Sequence, residues 1–199
     1  KSKKTVRYIE DIEDEVAEAL KEETDYFISS AEDSIDLETF AEEIWPEVKL
    51  NDGLRAKLVS IFTEQFGAFM PEFIGFYIAQ TDKDLRLEQV SQRTTAWVQE
   101  WSGELADIMQ LNSHNEIENI LTKGLKEGSG IAAFTRDILD SGIRDEYYKA
   151  RRVAVTEVLR AHSVAQHEAY MQGPSVKEKM WRHTGSYRSE PRRNHVDMD

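Results

Sequence analysis

The chain has 199 residues, 40% of them hydrophobic and 32% charged, with ten Gly, four Pro, no Cys and a formal net charge of −13. Such a length fits one substantial domain or two small ones, and zero cysteines exclude a disulfide scaffold, a thiolate metal site and a cysteine nucleophile. The apolar runs stop far short of the roughly 20 residues that cross a bilayer, and Lys1–Lys4 lacks a following apolar stretch, so neither a membrane span nor a secretory signal is expected.

From Thr5 to Ser30 the apolar positions Val6, Ile9, Ile12, Val16, Leu20 and Phe27 fall on one helical stripe, with Glu10, Asp11, Glu13, Asp14 and Glu18 on the wet side. Asp36 can cap a short helix through Phe40, Ile44 and Trp45 that Pro46 interrupts. Asn51 or Asp52 starts another, carrying Leu54, Leu58, Ile61, Phe62, Phe66 and Phe69 as far as Pro71. A further apolar stretch, Phe73 to Ala79, predicts a packed helical hairpin, with an aromatic-lined ligand pocket as the alternative. After a polar turn at Thr81–Asp84, a helix is expected from Leu85 or Ser91 to Leu111, and Ser113–Glu116 matches a capping box that would open a separate helix ending at Gly128. Ser129 to Ser141 reads as a short helix closed by Gly142.

A last long helix is predicted over Arg144–Gln172, with the stripe Tyr148, Val153, Val155, Val158, Leu159, His162, Ala165 and Ala169, ended by Gly173-Pro174. Val176 to Thr184 alternates loosely and reads as a strand, with a turn at Gly185-Ser186 and a basic, irregular close over Tyr187–Asp199. The expected fold is mainly α: a multi-helix N-terminal region over 1–143, followed by a small α+β module over 144–199 made of the long helix and short strands.

Charge divides the same way. Residues 1–148 carry 15 Lys/Arg against 32 Asp/Glu, whereas residues 149–199 carry 10 against 6. This change of sign points to two surfaces with different partners. Arg151, Arg152, Lys177, Lys179, Arg182, Arg188, Arg192 and Arg193 could line a stripe that neutralises phosphates without reading sequence. The alternative is ordinary surface charge paired with Glu157, Glu168 and Glu178. Glu157 stands out because it interrupts the apolar stretch Val153–Leu159, and a carboxylate there needs a cationic partner; Arg151, Arg152 or an arginine of the tail is expected to supply it. No Gly-rich phosphate loop, His-Glu-x-x-His pair or Gly-x-Ser-x-Gly elbow occurs. The sharpest metal hypothesis groups His183 and His195 with Asp197 and Asp199, since His195-x-Asp197 on extended backbone places both side chains on one face; the alternative makes both histidines structural. Trp181 reads as core of the small sheet, with base stacking as the other possibility.

The segment ARRVAVTEVLRAHSVAQHEAY (150–170), followed by VKEKMWRHTGSYRSEPRRNHVDMD (176–199), resembles the phage Mu F-like minor head protein family, whose members are also labelled phage head morphogenesis proteins. Arg152, Ala154, Thr156 and Glu157 match its helix core. Lys179, Trp181, His183, Thr184 and Gly185 match its strand and turn, and Pro191, Arg192, His195 and Asp199 match its close. The chain departs from the pattern at Ser163, where Asn is frequent, and at Ser186, where many relatives have Asp. The pattern runs on past the position of Asp199, so a continuation is expected. The resemblance implies a noncatalytic virion protein without cofactor, held inside the capsid near the portal and present in the bacterial cytoplasm during assembly. It further implies action in capsid assembly and in DNA packaging or ejection. Expected partners are the portal protein, other virion proteins and double-stranded DNA, with no membrane. The competing readings are a metal-dependent hydrolase or nuclease built on His183, His195 and Asp197, and the delivery module of a phage-borne toxin.

Overall fold

The computed structural model describes residues 3–81, 91–140 and 146–178, and nearly all of them are helical. In chain order the elements are α1 (Lys3–Glu32), α2 (Leu37–Thr39) continuing through a π-helical turn (Phe40–Ile44), α3 (Trp45–Lys49), α4 (Gly53–Thr81), α5 (Gln92–Glu127), α6 (Ile131–Asp140) and α7 (Glu146–Gln172).

The expected boundaries hold where a polar side chain or a glycine ends a helix. Asp36 caps α2 by accepting from the Thr39 amide at 2.8 Å, Ser91 does the same for α5 through the Thr94 amide, and Gly128 closes α5 in the left-handed conformation at φ 66°, which costs glycine no steric clash. Two expected breaks are absent. The hairpin predicted around Pro71 is instead one helix, α4, with Pro71 inside it. Phe69, Met70, Phe73 and Ile74 are all buried on either side of the proline, and this packing outweighs the loss of one backbone hydrogen bond. The capping box at Ser113–Glu116 lies in the interior of α5, because Met109, His114, Ile117 and Leu121 continue the buried stripe straight through it.

Two hydrophobic clusters hold the helices. The larger joins α1, α4, α5 and α7 through Ile12, Val16, Leu58, Phe62, Phe66, Phe69 and Ala106 among others. The smaller packs Phe27 and Ala31 of α1 against Leu37, Phe40, Trp45 and Val48, closed off by Ile117 and Leu121 of α5 and Phe134 and Ile138 of α6. Helices α1 and α5 contribute to both.

Helix α7 enters the larger cluster on a face that keeps Val158, Ala165 and Ala169 of the expected stripe but turns toward its alanines. Ala150, Ala154, Val158, Ala161, Ala165 and Ala169 are fully buried, whereas Tyr148 and Leu159 of the predicted stripe are 55% and 49% exposed. Small side chains at steps of three and four let the backbone of α7 come close to α1 and α4. The short strands expected after α7 find no support among the described residues. The Gly173 amide donates to Ala169 O and the Val176 amide to Gly173 O, so the chain turns just after α7, and residues 176–178, the only described part of the expected strand, form none. Residues 179–199 lie outside the described residues.

Candidate contact groove between α5 and α7

Side chains on α5 reach α7 at three levels. Arg93 donates to Glu168 Oε2 at 2.7 Å, Trp101 Nε1 donates to Glu157 Oε2 at 2.7 Å, and Lys149 Nζ lies 2.5 Å from Glu116 Oε2. Between the last two levels the helices enclose a groove of about 490 Å³. Asn112, Ser113, Glu116 and Asn119 line its α5 side and Lys149, Arg152, Val153 and Thr156 its α7 side, with Leu20 of α1 and Met109 beneath. Its lining is mostly polar, with Leu20, Met109 and Val153 its apolar members.

Glu157 is the most informative of the expected residues. It is buried at 3% exposure, and its partners are Trp101 and, at 3.3 Å, Arg160 of the next turn. Arg160 also lies over the Trp101 ring, 4.0 Å from its centroid, so indole, carboxylate and guanidinium form one closed unit. Burial pushes the Glu157 carboxyl up, and the Trp101 hydrogen bond and the Arg160 charge pull part of the way back. Arg151 and Arg152, expected to pair with Glu157, do something else. Arg151 donates to Glu13 Oε2 at 2.6 Å and ties α7 to α1; Arg152 lies over the Tyr148 ring at 5.7 Å. Helical geometry explains this: Arg151 and Arg152 precede Glu157 by more than a turn and lie off its face of the helix, whereas Arg160, within one turn of it, can curl back.

Glu168 repeats the arrangement nearer the end of α7. Burial opposes its ionisation, but hydrogen bonds from Ser91, Gln172 and Arg93 outweigh that and hold the carboxyl below its ordinary value. In the sequence Trp101, Arg160 and Arg93 carry no signal of this pairing; the one hint is the converse, that a carboxylate among valines must find a donor.

Thr156 and Arg152, one turn apart on α7, both face the groove and are exposed. Among the described residues the Thr156 side chain makes no hydrogen bond, and Arg152 makes only its contact with Tyr148. Lys177 is exposed beyond the end of α7. Lys179, Trp181, Arg182, His183, Arg188, Pro191, Arg192, Arg193, His195, Asp197 and Asp199 lie outside the described residues, so the expected basic stripe is visible only in Arg151, Arg152 and Lys177, and the metal set is not visible at all. Among the described residues no group of three or more His, Asp or Glu is placed to hold a metal ion, and no helix is long and apolar enough to cross a membrane.

The chain is 32% identical over 203 aligned positions to a protein of Bacillus subtilis (strain 168) described as "Uncharacterized protein YqbB", an alignment that takes in 97% of this chain and 65% of that protein's length. No solved structure matches it. Residues 115–199 match the family described as Phage Mu protein F like protein, a stretch that begins within α5 and includes α6, α7 and most of the groove's charged walls. In that segment, and there alone, the chain is similar to phage Mu F-like proteins.

Proposed function

We propose that the chain acts as part of a minor head protein of a phage or prophage, a noncatalytic component of head assembly whose working surface is the α5–α7 groove together with the basic residues that follow α7. One observation carries this reading. In the Mu F-like segment, Ala150, Ala154, Glu157, Val158 and Ala161 of α7 are buried, while Arg152 and Thr156 stand on the groove wall with no carboxylate or hydroxyl of the described chain to satisfy them. A guanidinium and a hydroxyl placed one turn apart on a rigid helix suit recognition of another protein's surface. The acidic character of residues 1–148 and the basic character of residues 149–199 support two contacts: a virion protein, with the portal as first candidate, and nonspecifically the packaged double-stranded DNA through Lys177, Lys179, Arg182, Arg188, Arg192 and Arg193.

The test compares the parent phage with one carrying Arg152→Glu and Thr156→Tyr together. The expected result is a loss of the protein from purified particles by about tenfold or more, the size of effect that removal of one interface anchor produces, at an unchanged melting temperature of the isolated chain. Normal incorporation of the double variant would remove the groove from the assembly surface, and absence of even the parent protein from particles would remove the head-protein reading itself.

A further inference from the structure

His162 lies on α7 where that helix meets α1 and α4, and both of its ring nitrogens face hydroxyls. Nε2 is 3.3 Å from Thr5 Oγ1 and Nδ1 is 3.4 Å from the Tyr77 hydroxyl. The ring stacks on Phe73 with centroids 3.6 Å apart and planes 14° apart, and Tyr77 meets it edge-on. A single imidazole therefore touches the first turns of α1, the last turns of α4 and the middle of α7.

A neutral imidazole carries one donor and one acceptor nitrogen, and each hydroxyl can either give or take a proton. An N–H toward one hydroxyl and an O–H from the other fill both sites. Protonation changes the demand, because both nitrogens then donate and both hydroxyls must turn to accept. The phenol of Tyr77 is the poorer acceptor, since its lone pair is shared with its ring. The half-buried site also strips water from the new charge, and burial holds the His162 pKa below its ordinary value of 6.5.

The other titratable groups on these faces leave the response to His162. On α1 and α4, Lys4 and Glu72 pair with each other at 2.9 Å, and that pair keeps the Glu72 carboxyl below its usual range, so it stays ionised as His162 titrates. Tyr8 of α1 and Tyr77 of α4 are both pushed up by burial and stay neutral; Tyr170 of α7 is bonded to Gln166.

We propose that His162 is a proton-sensitive latch that fastens the N-terminal turns of α1 to α4 and α7, closed while the ring is neutral and loosened when it is protonated. The far end of α1 is held separately, by Phe27 and Ala31 in the smaller cluster, so release is confined to the turns around Thr5, Tyr8 and Ile9. Its direction follows from the depressed pKa: the latch is intact above pH 6.5 and is lost as the pH falls from there through the lower value in the folded protein.

Amide hydrogen exchange on the full chain at pH 7.5 and 5.0, corrected for intrinsic rates, tests this. Protection of residues 5–12 is expected to fall by about threefold or more relative to residues 24–31, and in His162→Gln, whose amide keeps one donor and one acceptor but does not titrate, the two segments are expected to respond alike. An equal local loss in parent and variant would overturn the latch. Should the variant fail to fold, an NMR titration of the His162 ring in the parent decides: a midpoint below 6.5 that coincides with the loss of α1 protection supports it, and a midpoint at or above 6.5, or one that does not track the protection, overturns it.

Discussion

At Glu157 an indole N–H and a guanidinium share one carboxylate oxygen, Oε2, at 2.7 and 3.3 Å. Truncation therefore orphans Trp101 Nε1, and Glu157→Ala is expected to cost about 1–3 kcal/mol, the usual penalty for an unsatisfied buried donor, read as a drop in urea midpoint. Glu157→Gln leaves an oxygen for Trp101 and removes a charge that burial disfavours, so it is expected within about 1 kcal/mol of the parent. The pH dependence separates these two effects. Because the folded carboxyl titrates above its ordinary value of 4.5, its advantage over glutamine is full below pH 4.5 and is lost as the pH rises through the folded value. A parent-minus-Gln stability difference that stayed flat from pH 4 to 7 would show that Glu157 is not desolvated.

Helix α7 shows how an element is placed by its small residues. Six fully buried positions, five of them alanine, form the seam against α1 and α4, and Arg151–Glu13 at 2.6 Å fastens the rim. Such a seam has no room for larger side chains: Ala161→Leu is expected to destabilise by about 1–3 kcal/mol through overpacking, while Ser163→Leu, two residues on and exposed, is expected to shift stability by less than about 0.5 kcal/mol. Equal thermal shifts for the two variants would mean that α7 does not pack through its alanine face. The alanine period was present in the sequence, but valine, leucine and tyrosine drew the predicted stripe toward Tyr148 and Leu159. Hydrophobicity ranks bulk, whereas close helix packing selects for its absence.

Over the whole molecule the dominant quantity is the net charge of −13. Most ion pairs of the described residues are substantially exposed, as Lys4–Glu72 and Lys49–Glu118 are, and exposed pairs contribute little. Like-charge repulsion among carboxylates should then outweigh them, so raising salt from roughly 0.02 to 0.5 M, which shortens the screening length severalfold, is expected to raise Tm by about 2–4 °C, equivalent to about 1 kcal/mol in a chain of this length. A Tm that fell with salt would show that the pairs carry more than repulsion takes away.

The mainly helical class, several helix ends and the resemblance of the C-terminal segment were legible in the residues themselves, because caps such as Asp36 and Ser91, stops such as Gly128 and apolar spacing act over one or two turns. The same local rules misled at Pro71 and at Ser113–Glu116, where burial on both sides of a break signal carried the helix through. Pairings between distant segments, Trp101 with Glu157, Arg93 with Glu168 and Thr5 and Tyr77 with His162, were decided only when the helices packed. Spacing along a chain says which face a side chain is on, and the packing of other helices alone says what that face meets.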